Sequence, residues 1–362
     1  MRVRGGDRNA GLSERKHPDS MLDNQRRDTK AVRCLGDDLL ELGFGRSIEY
    51  LRISVTDRCN FRCLYCMPLS GLEWLPKADI LSYEEIAQVV SQLAPLGLRR
   101  LRITGGEPTL RPDLELLIGM LRAIPGIEDI SLSTNGVRLP DLAETFARAG
   151  LDRVNMSADS LRPDRIRAIS RRNIDFDPIA AATSAEAAGL SPIKINVVVM
   201  RGINDDEVSD FARLTFEHDW HVRFIELMPV GEMRELTWDH VVPSDEILHR
   251  LEAEAPIAPA IGPARGNGPA RYFRFHDAMG TVGVITPMSH TYCGSCNRVR
   301  LTADGRLRTC LFGDEETDLR TPLREGLPLE PLFRSALASK PKEHHLLQMS
   351  VGGLRALSQV GG

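Results

Sequence analysis

The sequence predicts an α/β protein: an incomplete (β/α)6-type barrel, TIM-like but open on one side, followed by a smaller α+β domain. Three observations carry that expectation. Between residues 46 and 255, short runs with a two-residue apolar period alternate with longer runs at helical spacing, about six times over. The stretch PIAPAIGPARGNGPA, residues 256–270, then puts seven Gly or Pro into fifteen positions, which interrupts any regular element. Beyond it the pattern becomes one of hairpins. Strands joined through helices demand a mainly parallel sheet with right-handed crossovers. Six such units fall short of the eight that close a standard barrel, hence the open side.

The units follow in order. Leu51, Ile53 and Val55 alternate as a strand should. Ser82 with Glu85 three residues on forms a capping box, and Ile86, Val89, Val90 and Leu93 lie on one face of the helix it starts. A strand at 98–104 runs into GGEP, and a helix from about 113 carries Leu114, Leu117 and Leu121 on one side. A strand at 130–134 meets Asn135 and Gly136, and an Ala-rich helix after it closes at Gly150. A strand at 154–157 precedes helical segments ending at Gly189, a residue suited to a left-handed cap. A strand at 193–200, a helix near 205–217, a strand at 222–227 and a helix near 244–253 complete the run.

After the break, RYFRFHDAMGTVGVIT reads as two short strands around a turn, and NRVRLTADGRLRTCLF as two more around Asp304 and Gly305. Leu-rich helical spacing ends the chain. Residues 1–45, rich in Arg, Asp and Gly with no sustained apolar period, are expected to form a flexible extension. The expected organisation is therefore 1–45 extension, 46–255 partial barrel and 256–362 C-terminal domain.

Composition narrows the function. The 362 residues are 42% hydrophobic and 27% charged, ordinary for a soluble chain with a sizeable core. A net charge of −4 favours neither nucleic acid nor an anionic membrane as partner. No apolar run of about 18 residues is present, and the N-terminal segment lacks the apolar region of a secretory signal. A reducing cytoplasm is the expected location, where seven cysteines argue for metal or catalysis rather than disulfides.

TDRCNFRCLYCMP, residues 56–68, places Cys59, Cys63 and Cys66 directly after the first strand, at the sheet edge where α/β proteins bind ligands. Three thiolates in one loop can hold three corners of a [4Fe–4S] cube. A structural zinc would want a fourth closed ligand, and three inert buried thiols fit poorly with the intervening Arg58, Asn60 and Arg62. A second set, Cys293, Cys296 and Cys310, is spaced C-x2-C-x13-C. It half resembles a zinc ribbon, with His290 the nearest candidate for a further ligand. A second cluster with one open iron is the better account, and it leaves Cys34 unassigned. Arg298 and Arg300 leave one face of the strand that follows, and Val299 and Leu301 the other. Two guanidiniums beside a metal suit phosphate; a pair on a solvated strand face is the alternative, and the neighbouring cluster favours the phosphate reading.

The cysteine loop, with Tyr65 before its last cysteine and GGEP at 105–108 one β–α unit later, resembles the radical S-adenosylmethionine superfamily. That resemblance implies that S-adenosylmethionine, rather than a protein side chain, completes the first cluster. RFIELMPVG at 223–231, CGSCNRVRLTADGRLRTCLFG at 293–313 and the terminal Gly-Gly make residues 46–362 similar to the GTP 3′,8-cyclase family of molybdenum-cofactor biosynthesis. Members convert GTP to (8S)-3′,8-cyclo-7,8-dihydroguanosine 5′-triphosphate.

The resemblance implies two [4Fe–4S] clusters on the six cysteines. It implies S-adenosylmethionine contacts at Tyr65, Gly106, Ser157 and Met228. It implies GTP contacts at Arg52, Arg102, Ser133, Lys194, Arg298, Val299 and Arg300. STNG at 133–136 stands where the family commonly reads TTNG, which keeps a hydroxyl at Ser133. Gly361 and Gly362, by composition a frayed end, are implied to reach the site. The product would pass to a cyclic pyranopterin monophosphate synthase, and a homodimer is compatible with the sequence without being indicated by it. Two other readings stay open: a radical S-adenosylmethionine enzyme modifying a peptide with the help of an auxiliary cluster, and a non-catalytic zinc- or metal-binding protein.

Overall fold

The computed structural model describes residues 41–42, 46–68, 70–228, 236–262, 268–343 and 355–361. Cys34, Gly362 and, apart from the backbone of 41–42, the expected extension lie outside them. Asp37–Gly362 forms one compact unit. It opens with a small antiparallel ladder, β1 (Glu41–Leu42) and β2 (Arg46–Ser47).

The six expected units then follow. They are β3 (Tyr50–Ser54) with α1 (Tyr83–Leu93), β4 (Arg100–Thr104) with α2 (Leu114–Arg122), and β5 (Asp129–Thr134) with α3 (Leu139–Ala149). Next come β6 (Arg153–Ser157) with α4 (Pro163–Ser170) and α5 (Pro178–Ala187), β7 (Lys194–Val199) with α6 (Val208–Glu217), and β8 (His221–Glu226) with α7 (Ser244–Glu254). Their ends are set locally. Ser82 and Glu85 close the capping box on α1, and Gly150, at φ 102°, ends α3 in the left-handed region that costs glycine nothing. The apolar faces of α1 and α2 pack onto the sheet through Ile86, Val89, Val90, Leu93, Leu114, Leu117 and Leu121, all buried.

The C-terminal part supplies β9 (Ile257–Ala260), β10 (Arg271–Phe275), β11 (Thr281–Ile285), β12 (Arg298–Leu301), β13 (Arg306–Arg308), β14 (Thr317–Asp318), α8 (Arg320–Arg324) and α9 (Glu330–Ala338). Both expected hairpins form, β10 with β11 and β12 with β13. They do not make a separate sheet. Among the described residues a single twelve-stranded sheet runs β14-β13-β12-β3-β4-β5-β6-β7-β8-β11-β10-β9. One hairpin joins each edge of the six-stranded barrel wall, β12 parallel to β3 and β11 parallel to β8. The sheet is open, as six units require. One local expectation fails: the Gly/Pro-rich stretch 256–270 includes strand β9, with Pro259 inside it. It is the edge strand, where a residue without an N–H can leave one side of the ladder unpaired.

Candidate functional site

β3 ends at Ser54, and the chain turns into the loop that carries Cys59, Cys63 and Cys66. The loop is fastened to α4, with Arg62 N–H donating to the Ser170 carbonyl (2.8 Å) and Leu64 N–H to that of Ile169 (3.1 Å). GGEP fastens it from another side. Gly106 N–H donates to the Thr56 carbonyl and Glu107 N–H to that of Arg58, both at 2.8 Å. A Cβ on Gly106 would stand 2.3 Å from the Arg58 carbonyl oxygen, and one on Gly105 2.5 Å from that of Thr56. What the glycines admit in this motif is the backbone of the cysteine loop. The Glu107 carboxylate accepts from Thr134 Oγ1 and from Asn135 N–H, each at 2.7 Å, and so ties the motif to the end of β5.

The three thiols line a cavity of about 290 Å³. Burial pushes Cys59 up to about 12, Cys66 up to about 11 and Cys63 well above the usual thiol range. Thiolates there need a cation that burial has not supplied, which iron would provide. Beside them, the Tyr65 hydroxyl donates to Asp159 Oδ2 at 2.7 Å.

The second cysteine set sits at the other end of the same strands. Cys293 to Ser295 form a 3-10 turn just before β12, which runs parallel to β3 with Arg298 level with Tyr50. The β12–β13 hairpin returns Cys310 to the same end, because Arg308 pairs back to Arg300. The two sets are thus separated by about the length of β3, five residues or roughly 16 Å. Cys293, Cys296 and Cys310 do not themselves line the cavity, but their neighbours Tyr292, Arg298 and Leu311 do. Burial would raise Cys296, yet the Arg298 guanidinium and the Lys340 ammonium outweigh it and bring the thiol down to about 7. Among the described residues no three His, Cys, Asp or Glu side chains close around a single ion position. Each triad supplies three thiols, the number of protein ligands that a cube completed by a small molecule takes.

Between the two ends runs a row of like charges. Arg300, Arg52 and Arg102 are lateral partners on β12, β3 and β4, about 4.8 Å apart from strand to strand. Such neighbours repel, and burial adds to the cost. Burial with the adjacent guanidiniums depresses Arg102 and Arg300 to about 10 and Arg52 well below its ordinary value. Farther round, Arg223 donates to Asn155 Oδ1 at 2.9 Å, and Arg153 makes a bidentate pair with Asp129 at 2.9 and 2.6 Å. Lys194 falls to about 5 through burial and the nearby Arg153, Arg223 and Arg102. Arg153 has its own carboxylate in Asp129, whereas the row of guanidiniums on β12, β3 and β4 suits a polyanion.

Most of the expected contact residues share the one cavity: Tyr65, Gly106, Ser157 and Met228 with the first cysteines, and Arg52, Arg102, Ser133, Arg298 and Arg300 along the wall. Two do not line it. Lys194, the first residue of β7, is buried below the wall, and Val299 points into the core from the opposite face of β12. The C-terminal tail does reach in. Leu357 and Ser358 line the cavity, and Arg300 Nη1 donates to the Gly361 carbonyl at 3.1 Å. Tyr50, Asp159, Arg223 and Glu226 also line it, and were missed. The alternation that marks Tyr50 and Arg223 as strand residues says nothing of what their face encloses.

Comparison with known proteins agrees with this geometry. A model described as the Radical SAM superfamily matches residues 53–215, and one described as Molybdenum Cofactor Synthesis C matches residues 220–346. The solved structure of Streptococcus suis SuiB bound to S-adenosylmethionine superposes with a TM-score of 0.58 at 12% identity, covering 86% of this chain and 77% of that one, a likeness of fold. The fold and the cysteine loop define the class, a radical S-adenosylmethionine enzyme. The GTP 3′,8-cyclase of Heliobacterium modesticaldum is 47% identical over 324 residues, 88% of this chain and 99% of that one. That of Pelotomaculum thermopropionicum is 48% identical over 323 residues, with the same coverage. One from Listeria monocytogenes is 43% identical over 331 residues, 90% of this chain and 99% of that one. The chain belongs to the GTP 3′,8-cyclase family.

Proposed function

We propose that the enzyme converts GTP to (8S)-3′,8-cyclo-7,8-dihydroguanosine 5′-triphosphate, the first step of molybdenum-cofactor biosynthesis. The observation that carries this reading is one cavity with Cys59, Cys63 and Cys66 at one end and the row of Arg52, Arg102, Arg298 and Arg300 leading to the other. When bound, a [4Fe–4S] cluster and S-adenosylmethionine supply the 5′-deoxyadenosyl radical that takes the hydrogen from ribose C3′. The chain's own residues do the positioning.

Cys59, Cys63 and Cys66 would hold the first cluster, and Gly106, Ser157, Met228 and the Tyr65–Asp159 pair shape the pocket for S-adenosylmethionine. Arg52, Arg102, Arg298 and Arg300 take the triphosphate, exchanging mutual repulsion for charge-assisted bonds. Cys293, Cys296 and Cys310 would hold the second cluster, which would supply a Lewis-acidic iron for the guanine. Held at both ends, one GTP keeps C3′ and C8 in near-attack geometry in a chamber narrowed by the tail. This row of charge favours a triphosphate over a peptide substrate.

Among the described residues no helix is long and apolar enough to cross a membrane. A reducing cytoplasm, transfer of the product to a cyclic pyranopterin monophosphate synthase, and a homodimer belong to the same proposal; sedimentation of the reconstituted enzyme with and without that synthase tests the last two. The activity is tested by anaerobic turnover of the reconstituted, reduced protein with S-adenosylmethionine. 5′-Deoxyadenosine should form when GTP is added and not with ATP. Equal formation with both would overturn the substrate.

A further inference from the structure

The second cysteine set is drawn together by a cation that the mechanism does not use. Lys340, two residues past α9, is 7% exposed, and its ammonium reaches three points at once. It donates to the Arg298 carbonyl at 3.0 Å and to the Thr309 carbonyl, and it lies 3.6 Å from Cys296 Sγ. These points belong to the two halves of the ligand set, since Arg298 follows Cys296 and Thr309 precedes Cys310. Arg46 reinforces the same junction. Its guanidinium donates to the Cys293 carbonyl at 3.2 Å and to the Pro341 carbonyl at 3.2 Å, so all three cysteine segments are tied to residues 340–341.

A buried ammonium has three N–H donors; the two carbonyls take two of them, and the third faces Cys296 Sγ. The approach to Sγ adds a positive charge beside a cluster ligand. Hydrogen bonds and charge at the sulfurs are among the protein's means of setting a cluster's reduction potential. We propose that Lys340 is a positioning residue of the second cluster: its ammonium clamps the Cys296 and Cys310 segments together and, through Cys296 Sγ, holds the cluster's potential up. The proposal rests on the two-cluster reading above. The direction follows from charge. Adding an electron makes the cluster more negative, and the adjacent ammonium stabilises that state. Without it the oxidised state gains.

The test is an EPR-monitored potentiometric titration of the reconstituted full-length enzyme, unsubstituted and as Lys340→Met and Lys340→Arg. The wave that S-adenosylmethionine does not perturb reports the second cluster. Lys340→Met should shift that wave negative by at least tenfold in the oxidised-to-reduced ratio at fixed potential, about 59 mV for one electron, and leave the other wave in place. Iron should also be lost faster from the second cluster to a chelator. Lys340→Arg keeps the charge and should keep the potential within half that shift. An unmoved wave in Lys340→Met, or an equal shift in both substitutions, overturns the proposal. If Lys340→Met does not fold, Lys340→Gln replaces it under the same criteria. Iron analysis of the unsubstituted chain separates this from failure of the underlying reading: about four iron per chain removes the second cluster itself, whereas about eight with an unmoved potential removes only the role of Lys340.

Discussion

Replacing Glu226 by Gln tests how the barrel holds the loop that leads to the second cysteine set. Glu226, at the end of β8, is 1% exposed and receives four donors. Oε1 accepts from Ser244 N–H at 2.8 Å and from Ser289 Oγ, and Oε2 accepts from Met288 and Ser289 N–H, each at 3.0 Å. Three of these donors, Ser289 Oγ and the N–H groups of Met288 and Ser289, lie on the loop just before Cys293. A glutamine has the same shape, but its amide nitrogen must face at least one N–H donor: two of them on the Oε2 side, or Ser244 N–H on the Oε1 side, where the Ser289 hydroxyl can turn and accept. At least one hydrogen bond to a charged group is lost, so Glu226→Gln should destabilise by about 1.5–3 kcal/mol. That is a sizeable part of the roughly 5–15 kcal/mol typical of a folded protein. Anaerobic urea unfolding of the reconstituted protein reads it as a lower midpoint at unchanged slope, and chelator challenge should strip the second cluster first. A loss below about 1 kcal/mol would show that the carboxylate does not fasten this loop.

Gly106→Ala should cost the first cluster, because its Cβ would stand 2.3 Å from the Arg58 carbonyl oxygen; iron analysis should fall by about half while the second cluster's signal stays. Arg298→Ala and Arg300→Ala should each weaken GTP binding in anaerobic calorimetry by about 1.5–3 kcal/mol, roughly 10- to 150-fold in Kd, with the iron content of Arg300→Ala unchanged by separate analysis. Asp159 sets a pH dependence. Burial holds its carboxyl up at about 6, against the pull of the Tyr65 hydroxyl and the Val198 N–H, so the folded chain takes up a proton that the unfolded chain lacks. Its contribution to stability is full below about pH 4 and is lost as pH rises through about 6. Urea midpoints of the cluster-free chain should therefore decline over that window relative to Asp159→Asn, and parallel curves would contradict it.

Much of this architecture was legible from local pattern. The six β–α units, the Ser82 capping box, the Gly150 cap and the two hairpins are each dictated by neighbours in sequence, and each forms. The shared face of Arg298 and Arg300 follows from the two-residue period of a strand, and both line the cavity. What could not be read is pairing at long range. Nothing near Arg298 announces that β12 will lie parallel to β3 and set Arg300 beside Arg52. Pro259 was read as a breaker because the sequence does not mark β9 as an edge. Lys340 escaped notice for the same reason: a lysine among helical residues carries no sign that 42 positions separate it from the carbonyl it meets.

The central claim is that S-adenosylmethionine at the first cysteines and GTP along the arginine row meet in one chamber. GTP deuterated at C3′ tests this most directly, in anaerobic turnover followed by mass spectrometry of the 5′-deoxyadenosine released. Direct passage across the cavity requires the nucleoside to carry one deuterium. Unlabelled 5′-deoxyadenosine, formed at the same rate as with ordinary GTP, would mean that the two molecules never come within reach of each other.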